Sequence, residues 1–145
     1  MTGYERHGFP DGTSDERELF LRWLAFLRGA VLRKALGVSD EQARWRPGGK
    51  LLPLVGIVNH LTGVERRWID GDAAKPEDEY DPPRLSITEA VAAYRERGAR
   101  TDQVVREADL TPGLRFVLIH LINETARHAG HADAVRELLD GTTGE

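Results

Sequence analysis

The sequence predicts an all-α fold, a four-helix bundle with one short extra helix. Three observations carry this. Apolar residues recur at intervals of three and four over long segments. Capping signals open those segments and Gly or Pro closes them. No stretch shows the two-residue alternation of a strand. At 145 residues the chain has room for one domain with a real core.

Residues 1–12 are polar and Gly-containing and read as a flexible arm, leaving 13–145 as a single helical domain. His7, in that arm, has no local partner and reads as solvated. Thr13 and Glu16 have capping-box spacing. Leu19, Phe20, Trp23, Leu24, Phe26, Leu27, Val31 and Leu32 then mark an amphipathic helix to about Leu36, which Gly37 stops. A second capping box, Ser39 to Gln42, opens the short extra helix. Trp45-Arg46-Pro47 and Gly48-Gly49 end it.

A second long helix begins near Pro53, a residue suited to a first turn. It runs through Leu54, Ile57, Val58, Leu61, Val64, Trp68 and Ile69, with His60 at its middle. Residues 70–84 are rich in Gly, Pro and acids and form a long loop. Such loops either cover sites or merely connect. Ser86 and Glu89 open a third long helix to about Ala108, whose sparse apolar positions leave one face solvated. Thr111 caps the last helix, Pro112 starts it and Gly141 ends it.

Lys and Arg number 20 against 24 Asp and Glu, a net charge of -4. No basic stripe offers a footprint for nucleic acid. No run of 18 apolar residues or charged-then-apolar leader points to a membrane or to export. A cytoplasmic protein is therefore expected. The absence of cysteine excludes a disulfide scaffold, a cysteine-ligated zinc and a cysteine nucleophile.

The last helix carries the chemistry. His120, Glu124, His128 and His131 project within a sector of roughly 80°. An uncompensated carboxylate on a core-facing stripe costs on the order of several kcal/mol, which a bound cation would remove. Residues at i and i+4 lie about 6 Å apart and can grip one ion. His120 and His128, about 12 Å apart along the axis, cannot share one. The pairs 120/124, 124/128 and 128/131 all stay open. His60 is the other histidine within a long helix, and two facing helices are how bundle metal sites are built. The competing arrangement pairs Glu124 with Arg127 or His128 and leaves His60 as a core histidine. The apolar setting of both helices argues against it.

Two segments resemble the DinB-like superfamily. One is Leu54 to Trp68, with Asn59-His60. The other is Leu118 to Asp133, with Leu121-Ile122-Asn123-Glu124 followed by His128-Ala129-Gly130. The latter segment is particularly similar to one branch of bacterial DinB-like proteins. The resemblance covers nearly the whole chain and implies a four-helix bundle holding a divalent metal on three residues. It places the ligands at His60, Glu124 and His128, and so selects the 124/128 pair. Histidine is usual at the second position. Glu there is the variant of mycothiol-dependent maleylpyruvate isomerase. That enzyme's additional C-terminal domain contributes to its site, so its activity is not carried over.

Two His and one carboxylate suit Zn²⁺ first, with Ni²⁺, Fe²⁺ and Mn²⁺ also matching. The superfamily includes transferases that use a low-molecular-weight thiol such as mycothiol or bacillithiol. The resemblance thus implies a small-molecule substrate with a soluble thiol co-substrate. A homodimer is the expected assembly. Asn59, His120, Asn123 and His131 are candidates to orient the ligands from behind. Glu65 and Trp68 read as packing and helix-pairing residues, Arg127 as solvent-side, and Gly130 as a close-approach or neutral surface glycine. Two other readings stand beside the transferase. One is a bundle whose ion only holds the helices together, closed by His120 or His131 as fourth ligand. The other is a metal-free dimerising module.

Overall fold

The computed structural model describes residues 9–144. His7 lies outside them, as do residues 1–8 of the expected arm. The architecture is an all-α bundle: α1 (Glu16–Ala35), short α2 (Asp40–Arg44), α3 (Leu54–Glu65), α4 (Ile87–Glu107) and α5 (Pro112–Asp140). Helix α1 lies along α5, and α3 packs against both α4 and α5. No helix among the described residues is long and apolar enough to cross a membrane.

Most boundaries follow the local signals. Ser39 and Ser86 each form a complete capping box, with Gln42 and Glu89. Thr111 accepts from the Leu114 N–H ahead of Pro112. Gly141 ends α5 in the left-handed region at φ 78°. The start of α1 differs from expectation. Asp15 is the cap, accepting from the Glu18 N–H, while Thr13 Oγ1 accepts from the Asp15 N–H. Two capping signals overlap there, and the carboxylate adds favourable charge at the helix N-terminus. Of the predicted arm, Phe9 sets its ring 5.5 Å from that of Phe26.

Helix α3 is poor by propensity, with Val55, Ile57 and Val58 beside Gly56 and Gly63. Burial makes it: nearly every residue from Leu54 to Glu65 is inside. The chain then widens into one π turn, Arg66–Asp70. Gly71 closes the turn, and Arg97 pins Asp70 to α4 with a 2.6 Å ion pair.

The core is two apolar clusters. One joins Val31, Leu32 and Ala35 to Leu54, Ile57, Val91, Tyr94 and Val135. The other joins Leu21 and Leu24 to Val64, Val105, Leu118 and Leu121. Beside these clusters lies a buried polar layer that includes Arg28, His60, Glu65, Thr101, Thr125 and His128. Arg28 grips Glu65 with two hydrogen bonds of 2.9 and 2.7 Å and reaches Asp102 at 2.9 Å. Burial opposes the Arg28 charge, but Glu65 and Asp102 outweigh it, and the guanidinium pKa is raised well above its ordinary value. Glu65 thus pairs helices, as expected, and does so as an ion. Desolvated charges hold only with such complete pairing.

Candidate metal centre

On the other side of this layer, α3 and α5 bring His60, Glu124 and His128 together. One ligand atom from each lies within 4.8 Å of the other two. Glu124 Oε2 is the meeting point, 3.6 Å from His60 Nε2 and 3.4 Å from His128 Nε2. Donor atoms about 2.0–2.2 Å from a tetrahedral ion are roughly 3.3–3.6 Å apart, so both spacings fit one ion between them.

The protonation states fit as well. His60 Nδ1 lies 2.8 Å from Glu79 Oε2. A proton on Nδ1 donates to that carboxylate and leaves the Nε2 lone pair facing Glu124. His128 is pushed down to about 4, first by burial and then by His60, with Glu124 pulling the other way. It is therefore neutral at neutral pH, as a metal ligand must be. Its Nδ1 lies 3.2 Å from His131 Nδ1. A proton shared there frees His128 Nε2 for the site.

Glu124 is less buried than the sequence implies, with its side chain 27 % exposed. The histidine sector of α5 opens into a cleft of about 380 Å³ instead of pointing wholly into the core. Arg67, Trp68, Lys75, Tyr80 and Arg127 line this cleft around the three candidates. Arg127 is exposed, as expected, yet borders the site. Trp68 is 43 % exposed rather than packed in the core. Its ring lies 4.4 Å from that of His120.

The four supporting candidates separate. His120 Nε2 lies 3.7 Å from Glu124 Oε1, the carboxylate oxygen turned away from His60 and His128. His131 touches His128 as described. Asn59 acts at one remove: its Nδ2 donates to the Glu79 carbonyl at 2.9 Å. Asn123 does not join the group. It is exposed and makes no hydrogen bond to the site among the described residues, because it sits about 100° round the helix from Glu124. Gly130 meets nothing within 4 Å and is a surface glycine.

Glu79, from the long loop, is a site residue that sequence reasoning misses. Its side chain is 3 % exposed. Burial raises its pKa, but hydrogen bonds from Arg67 and His60 outweigh that and hold it below the ordinary carboxylate value. Arg67 binds both its oxygens, at 2.5 and 3.0 Å. Farther along, Arg44 donates to the Pro82 and Leu85 carbonyls. Two glycines of α3 make room for the loop. A Cβ on Gly56 would overlap the Tyr80 carbonyl, and one on Gly63 would overlap the Glu79 carboxylate. Gly56, Gly63 and His60 lie on one face of α3, and two glycines inside a helix were the available signal of a close approach.

Comparisons with curated proteins and with solved structures gave no match. The mycothiol-S-transferase family model matches residues 19–141. That span includes all five helices from the second turn of α1 onward, together with the loop that carries Glu79. On this match, with the histidine–carboxylate cluster between α3 and α5, the chain belongs to the mycothiol-S-transferase family, a DinB-like family.

Proposed function

We propose that this protein is a metal-dependent S-transferase that joins a low-molecular-weight thiol to a small electrophile. In this reading His60, Glu124 and His128 hold one divalent ion, Zn²⁺ before Ni²⁺, Fe²⁺ or Mn²⁺. The single observation that carries it is Glu124 Oε2 lying between the Nε2 atoms of His60 and His128.

When bound, the ion would lower the pKa of a coordinated thiol and supply a thiolate near neutral pH. The chain's own residues do the rest. Glu79 fixes the His60 ring, and His131 fixes His128. His120 braces the second oxygen of Glu124. Arg127 and Lys75 line the cleft as exposed cations and suit the polar body of a thiol such as mycothiol. Because the chain has no cysteine, the sulfur must come from the co-substrate. The cleft supports an open coordination position, which a purely structural ion would not need. A homodimer and a cytoplasmic location complete the proposal.

Elemental analysis of protein purified without chelator is expected to give about one ion per chain. Adding mycothiol and a haloarene should then give a thioether at a rate that chelator abolishes. A metal-free protein with no conjugating activity after metal loading would overturn the reading. Sedimentation tests the dimer.

A further inference from the structure

A second cavity, of about 210 Å³, adjoins the cleft. Its walls are aliphatic: Leu51 and Leu52 from the segment before α3, and Ala134 and Val135 from α5. Only Lys50 and His131 add polar groups. His131 lines this cavity and the cleft alike, and its Nδ1 is 3.2 Å from that of His128. Residues 128, 131 and 135 follow one stripe of α5. Val135 is therefore roughly 10 Å along the axis from His128. Apolar cavities of about 150 Å³ stay dry and take benzene-sized guests.

We propose that this cavity binds the apolar part of the electrophilic acceptor, a group the size of a substituted benzene ring or a branched alkyl chain. The inference rests on the thiol-transfer reading for the acceptor's role, though not for the existence of the site. The two hollows differ in chemistry. Arg67, Lys75, Glu124 and Arg127 make the cleft polar, whereas the second cavity offers an apolar guest nearly uniform aliphatic walls. A guest seated there reaches the metal centre past His131, with its reactive carbon at the cleft. In the transfer the sulfur–carbon bond forms and the carbon–leaving-group bond breaks. The leaving group departs with that bond's electron pair, and the thiol proton passes to water. The proposal predicts that apolar acceptors are preferred and makes Ala134 a specificity-determining position.

Fluorobenzene, followed by ¹⁹F NMR, is the probe. It should bind the full chain at one saturable site, with or without chelator, and shift the imidazole resonances of His131. Ala134 is exposed on α5, so Ala134→Phe should fold normally while filling the cavity; Leu51→Trp fills it from the other wall. Each should weaken fluorobenzene binding at least tenfold. With a benzyl halide as acceptor, each should raise the acceptor KM at least tenfold and leave the thiol KM within twofold. Equal fluorobenzene binding by wild type and both folded variants would overturn the site, whatever the activity. So would binding that leaves His131 unshifted. Site-specific binding by a metal-loaded protein that conjugates no thiol would overturn the acceptor role and the transferase reading, while keeping the cavity as a binding site.

Discussion

Glu79 Oε2 lies 2.8 Å from His60 Nδ1, across nineteen residues of sequence. The pairing joins the acidic loop to the helix that presents the candidate ligand, and it orients the imidazole. Carboxylates in this position raise ligand basicity, and their loss costs about 10- to 100-fold in metal affinity. Glu79→Gln should weaken metal binding by that much, measured by competition with a chromophoric chelator. Unchanged affinity would show that His60 needs no partner. Glu79→Ala should also lower stability by about 2 kcal/mol, because it strands Arg67 beside a buried gap.

Two helical glycines, Gly63 on α3 and Gly130 on α5, give predictions of opposite sign. An exposed helical Gly→Ala change stabilises by about 0.5–1 kcal/mol through helix propensity. Gly130→Ala should show that gain, since nothing lies within 4 Å of the new methyl group. Gly63→Ala should do the reverse, because its methyl group would meet the Glu79 carboxylate and Arg67. Chemical denaturation of the metal-free proteins checks stability. Metal titration should show Gly63→Ala binding more weakly and Gly130→Ala binding as wild type.

The metal-free protein should lose stability in acid through His128. Its folded pKa is about 4, against an ordinary value of 6.5. Between those values the unfolded chain binds more protons, so stability rises with pH. The penalty is absent above about 6.5, grows as pH falls and levels off below about 4. Denaturant midpoints from pH 8 to 4 test this, with His128→Gln as the control that should flatten the slope. Metal affinity should fall over the acid range too, since protons compete for the histidines.

Substitutions at the centre should rank by contact. His60→Ala and His128→Ala each remove one of three proposed ligand bonds and should abolish or greatly weaken metal binding. His120→Ala should leave the ion bound, because His120 meets only the outer oxygen of Glu124. Glu124→Gln should weaken binding by removing charge. Its effect on the chelated protein should be small, since the carboxylate is partly solvated and surrounded by three imidazoles. A large melting shift in chelator would contradict that solvation.

What could be read in the sequence was local or periodic. Ser39, Ser86, Thr111 and Gly141 punctuate the helices where expected because caps act within one turn. Helical spacing allowed three ligand pairs on α5 and pointed to His60 as the other histidine within a long helix, and the family resemblance selected Glu124 with His128. Glu79 was hidden because a loop's path depends on what it packs against. No spacing rule connects residue 79 to residue 60. The Arg28–Glu65–Asp102 cluster was hidden for a similar reason, as it joins three helices at separations of 37 and 74 residues. Asn123 shows the converse: next to Glu124 in sequence, it lies on the exposed side of α5.

The seating of the long loop has a thermodynamic consequence. Glu79 fastens residues 71–85 to α3 and also holds His60, so one carboxylate serves two equilibria. If an ion on His60 strengthens the Glu79 contact, it strengthens the loop's hold by the same free energy, because such coupling is reciprocal. Loading the centre should therefore slow amide exchange and proteolysis between Gly71 and Leu85, and cutting that loop should release the ion. The loop would then report on the centre from outside, through a segment that contributes no ligand of its own.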